Sequence, residues 1–100
     1  MRESPPILSW LKVNSIGNQV AVTGQLDRVP SEGWQLAFKQ VVALAGFDVH
    51  PRLEGDVVLA TADPSALIQA NYAVNAAILM ATEAYESISL WNAPAVDSVP

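Results

Sequence analysis

His50 is the only histidine of the chain, and charged residues stand two positions away on either side. Apolar and polar residues alternate between positions 47 and 53, which predicts a β-strand. On that strand, Asp48, His50 and Arg52 project to one side. An imidazole beside a carboxylate can act as a general base. Asp48 and His50 are therefore the candidate catalytic pair; the favoured alternative is an edge strand whose solvated charges prevent aggregation.

Other catalytic and ligand-binding patterns are missing from the sequence. There is no Cys, no Gly-x-Ser-x-Gly turn and no glycine-rich phosphate loop. The acidic turn Glu54-Gly55-Asp56 lacks the spacing of a calcium loop. We therefore expect no catalytic residue, no metal site and no cofactor, although Asp48 and His50 stay as weak catalytic candidates.

The charge of the chain is acidic and unevenly distributed. The formal net charge is −5, and all Lys and Arg lie within residues 1–52. Sequence-independent binding of nucleic acid needs clustered cations, so the composition argues against a nucleic-acid partner. An acidic half suits a basic protein partner, and solubility alone is the alternative explanation.

The composition also bears on location. The chain has no Cys, and its first six residues lack the apolar core of a signal peptide. We therefore expect a cytoplasmic protein that is not inserted in a membrane.

The spacing of apolar and turn residues predicts six elements. Segments 7–13 and 20–26 predict a β-hairpin around a turn at 14–18. Ser31 predicts the start of a helix that Gly46 ends, and Asp63-Pro64 predicts the start of another. Between the helices, segments 47–53 and 57–60 predict two strands.

The order β-β-α-β-β-α predicts an α+β fold with two layers. A four-stranded, largely antiparallel sheet would carry both helices on one face. Residues 1–91 are expected to form this single α+β domain, and residues 92–100, which contain two Pro, a flexible C-terminal tail.

The second helix is unusually apolar. Nineteen residues from Pro64 to Thr82 contain no charge. An inward stripe accounts for part of this segment, but Tyr72 and Leu79 fall on its back, where a helix on a sheet is normally polar. We infer that another chain covers this side; a central position in a monomer is the alternative. A membrane span is set aside because polar amides lie within the segment and carboxylates flank it.

These patterns favour a small acidic protein-interaction module that forms a homodimer and has no catalytic activity. An inhibitor or immunity-type partner of a basic protein is one concrete version. A small-ligand or catalytic module using Asp48 and His50 is the first alternative, and a structural subunit of a larger assembly is the second. The dimer would use the last helix or the open sheet face. The interface candidates are Tyr72, Leu79, Met80, Trp91 and Trp10.

Overall fold

A computed structural model describes residues 4–97, with side chains described for residues 4–87. A short 3-10 turn, Pro64–Ala66, leads into the second helix. The predicted α+β class and element order are confirmed. The elements are β1 (Leu8–Ile16), β2 (Gln19–Leu26), α1 (Glu32–Ala45), β3 (Arg52–Glu54), β4 (Val57–Ala62) and α2 (Leu67–Asp97).

The four strands form one antiparallel sheet in the order β1-β2-β4-β3. The two central strands supply most of its buried side chains. Val22 of β2 lies opposite Ala60 of β4, and Gly24 lies opposite Val58. Residues on β2 alternate as predicted, so that Val20, Val22 and Leu26 face the helices and are buried.

Helix α2 lies across β2 and β4 and packs closely on them. A Cβ atom on Gly24 would lie 3.1 Å from Val74 Cγ1 and 3.0 Å from Leu8 Cδ1, closer than ordinary van der Waals contact. Helix α2 therefore lies directly against β2 at Gly24. Where the side chains of α2 are described, four of its six buried residues are Ala, which allows this approach: Ala70, Ala73, Val74, Ala77, Ile78 and Ala81.

Helix α1 packs mainly against α2. It begins after Ser31, whose Oγ accepts a hydrogen bond from the backbone N–H of Trp34, and it ends at Gly46, both as predicted. Trp34 is fully buried, stacks on Phe38 with ring centroids 5.6 Å apart, and donates through Nε1 to Thr82 Oγ1 at 3.1 Å. Trp34 therefore connects the start of α1 to the middle of α2.

Two predicted segments differ from the structure. The strand expected over 47–53 is present only at its C-terminal end, because the regular pairing there is confined to Arg52–Glu54. Phe47 follows the end of α1 directly and is buried in the core, and Pro51 has no N–H for a ladder. The first strand is longer than expected, because the turn occupies only Gly17 and Asn18.

The backbone of α2 is helical as far as Asp97, which includes part of the segment expected to be a tail. The flexibility of residues 92–100 stays a prediction, and 98–100 lie outside the described residues. In the described part of the chain, no helix combines the length and the apolar character needed to cross a membrane.

Asp27 holds the start of β1 against the end of β2. Its carboxylate accepts hydrogen bonds from the Arg28 side chain, at 2.9 Å, and from the Ile7 backbone N–H, also at 2.9 Å. These bonds lower the pKa of Asp27, with the Arg28 bond as the main cause. The ionised form is therefore favoured in the folded protein.

The lowered pKa of Asp27 predicts a pH dependence of stability. A carboxyl with a lower pKa in the folded state stabilises the fold above its unfolded pKa, and this contribution disappears as the pH falls through the folded value. Replacing Asp27 by Asn keeps an acceptor for Ile7 and removes the titration. Below pH 5, the free energy of unfolding measured with urea should therefore change less steeply with pH for D27N than for the wild type. Identical slopes would contradict the assignment.

Candidate interaction surface

The outer side of the two helices carries large apolar side chains that are open to solvent. Leu44 of α1 is 86% exposed and Ile68 of α2 is 81% exposed, and Tyr72 and Leu79 are each more than 60% exposed. Ile68, Tyr72 and Leu79 are four and seven residues apart, so they lie on one side of α2. We call this surface the helical face; its members are Leu44, Ile68, Tyr72, Leu79 and Met80.

Two shallow depressions join Leu44, Ile68, Tyr72 and Met80 into one surface, and Leu79 lines neither of them. The larger, about 440 Å³, lies at the end of α1 and is lined by Phe47, Tyr72, Ile68 and Met80. Its floor is fixed by an edge-to-face contact between Phe47 and Tyr72, with ring centroids 6.1 Å apart. The smaller has Leu44 on one side and Met80 on the other. Met80 therefore links the α1 and α2 parts of the helical face.

The polar surroundings of the helical face are acidic. Asp48 lines the larger depression. Glu83 is exposed and follows Leu79 by four residues, which places it on the same side of α2. A surface with an apolar centre and carboxylates at its margin suits a partner that has apolar side chains surrounded by Lys or Arg.

No protein-family model, curated protein or solved structure matches the chain.

The candidate catalytic residues, Asp48 and His50, do not lie on a common strand. Asp48 and His50 are both exposed and lie in the irregular segment between α1 and β3. Asp48 lines the larger depression, whereas His50 is not among its lining residues. Among the described residues, no hydrogen bond joins the two side chains. The same residues contain no group of three His, Asp or Glu side chains suited to holding a metal ion.

The interface candidates fall on two different surfaces. Tyr72, Leu79 and Met80 lie on the helical face, as described above. Trp10 is 49% exposed on β1, on the sheet face turned away from the helices. The side chain of Trp91 lies outside the described residues. The predicted interface candidates therefore do not form a single patch.

Sequence reasoning missed Leu44 and Ile68, the most exposed members of the helical face. Both are large apolar residues that fall off the inward stripe of their helices, and this helical spacing is the signal that could have identified them. Asn71 of α2 is exposed, and its backbone and side-chain oxygens accept hydrogen bonds from Asn75 Nδ2.

Proposed function

We propose that this chain is a homodimeric protein-interaction module without catalytic activity, and that its helical face binds a second, basic protein. The observation that carries the proposal is the exposure of Leu44, Ile68 and Tyr72, which the two depressions join through Met80 into one connected surface. Contiguous exposed apolar residues with a polar margin are typical of protein-binding sites. A cytoplasmic location belongs to the same proposal and is compatible with a chain that lacks Cys.

The charge of the partner follows from the margin of this surface. The charged groups identified beside the helical face, Asp48 and Glu83, are both acidic, and the net charge of the chain is −5. Complementary charges increase the rate of association and disfavour acidic competitors. A basic target with a few apolar anchors therefore fits better than an acidic one, as in an inhibitor that neutralises a basic protein.

An amphipathic helical peptide of Leu and Lys, labelled with a fluorophore, provides a defined probe of this surface. We expect I68S to weaken its binding by about tenfold or more, because Ile68 lines the larger depression and burial of an apolar side chain of this size contributes roughly 1.5–3 kcal/mol. Fluorescence anisotropy at two salt concentrations would measure the affinity and its electrostatic part.

Leu36→Ser is the matched control for this measurement. Leu36 is also a large exposed apolar side chain, at 60% against 81% for Ile68, but unlike Ile68 it lines neither depression of the helical face. L36S should bind the peptide as the wild type does. If I68S and L36S bind it equally well, the helical face is not the binding surface, and the proposal is wrong.

A further inference from the structure

Strand β1 is a long edge strand whose outer edge has no partner within residues 4–97. Gly17 has a φ of 58° and forms a two-residue turn with Asn18, so Ile16 and Gln19 are the hydrogen-bonded pair that closes the hairpin. Bonding alternates along an antiparallel ladder. Consequently, the N–H and C=O groups of Leu11, Val13 and Ser15 point away from β2, toward the open edge.

This edge has little of the protection that edge strands normally carry. Lys12 is the only charged residue of β1, the strand contains no Pro, and its irregularity is confined to the Leu8/Trp10 end. Both of its faces present apolar side chains: Trp10 and Ile16 on the outer face, and Leu11 and Val13 on the helix side. All four are at least 37% exposed. An edge of this kind favours addition of another strand.

We propose that β1 pairs antiparallel with β1 of a second copy of the chain, with Val13 on the two-fold axis, so that two sheets join into one of eight strands. This inference rests on the homodimer of the proposed function and names the surface that forms it. The regular part of β1 runs from Trp10 to Ile16, and Val13 is its midpoint. Pairing about Val13 therefore uses the whole regular strand.

The side chains distinguish this register from its neighbours. About Val13, Lys12 lies opposite Asn14 of the second copy, and Trp10 lies opposite Ile16, which is a favourable aromatic and β-branched pair. A shift that centres the pairing on Lys12 places two Lys side chains directly opposite each other, which is destabilising. A centre on Leu11 brings the irregular end of β1 into the pairing, and a centre on Asn14 leaves Trp10 unpaired.

The same geometry keeps the helices of the two copies apart. Because α2 lies over β2 and β4, four strand spacings of about 4.8 Å separate the two α2 helices, or roughly 19 Å. Packed helices are about 8–10 Å apart, so the two do not touch. The helical faces of both copies stay accessible to another protein. A seven-residue strand pair is a small interface, so we expect a dimer of micromolar affinity.

Cysteine cross-linking tests the register, since the chain has no Cys of its own. In the proposed dimer, positions 12 and 14 of opposite copies are a non-hydrogen-bonded pair about 4.5 Å apart at Cα, within disulfide range. Two copies of position 12 are about 8 Å apart, beyond that range. A mixture of K12C and N14C should therefore give about tenfold more disulfide-linked dimer on oxidation than either variant alone.

Sedimentation equilibrium of the wild type across the micromolar range, combined with the cross-linking, distinguishes the homodimer from the interface proposed for it. A monomer throughout overturns the homodimer and this interface together. A dimer whose K12C and N14C mixture does not cross-link overturns only the β1 interface. A K12C variant that cross-links with itself overturns the Val13 register. Lys12 and Asn14 are exposed, and circular dichroism of each variant would verify that the fold is retained.

Discussion

Replacing Trp34 by Ala should lower the free energy of unfolding by about 3–5 kcal/mol. The indole is fully buried, stacks on Phe38 and reaches across to Thr82 of α2. Its removal leaves a cavity where α1 meets α2 and takes away a contact between elements distant in sequence. For a domain of about 100 residues, the melting temperature should fall by roughly 15 °C or more. Urea unfolding followed by circular dichroism would measure the loss.

Two variants separate packing from hydrogen bonding in this result. Thr82→Val removes the acceptor of the indole N–H and keeps the side-chain volume, so we expect a loss of about 1–3 kcal/mol. Leu44→Ala removes a large apolar side chain from an exposed position of the same helix and should change stability by less than about 0.5 kcal/mol. If W34A were no more destabilising than L44A, Trp34 would not be the connection between the two helices.

The buried sides of β2 and α1 were predictable from sequence because burial in these two elements follows simple periodicities. Val20, Val22 and Leu26 alternate on β2, and Trp34 and Phe38 are four residues apart on α1; all five are buried as the patterns require. The caps of the helices were equally local, since Ser31 and Asp63 each accept a hydrogen bond from a backbone N–H just beyond them.

Which sides of the strands and helices stay exposed to solvent depends on the tertiary arrangement, and no local sequence pattern contains it. The strand order places α2 over β2 and β4, so the helix side of β1 is left uncovered and Leu11 and Val13 are exposed despite their apolar character. The segment after Gly46 was misjudged for a similar reason. Its alternation resembles a strand, but Phe47 is drawn into the core at the end of α1, where it meets Tyr72. Asp48 and His50 therefore lie before β3 and are not part of a strand.

The distance between α2 and the sheet should depend on the pair Gly24 and Val74. A Cβ on residue 24 would lie 3.1 Å from Val74 Cγ1, so Gly24→Ala overpacks the contact at a cost of about 1–3 kcal/mol. Ala in a strand is otherwise favoured over Gly by roughly 0.5–1 kcal/mol. The steric cost is the larger of the two, and G24A should be net destabilising in the wild-type protein.

Val74→Ala should reverse the sign of that effect. The variant alone should cost about 2 kcal/mol, because it removes two buried methyl groups and leaves a small cavity. In the V74A background the new methyl of G24A occupies part of that cavity, while Leu8, near the end of β1, can rotate away. G24A should then be neutral or stabilising, with a coupling of about 1 kcal/mol or more from a double-mutant cycle in urea.

Gly33 provides the matched control for this cycle. A Cβ added there would contact Tyr85 rather than Val74, so the effect of G33A should be the same with and without V74A. Additive effects of G24A and V74A would show that the helix and the sheet are not held apart by this contact.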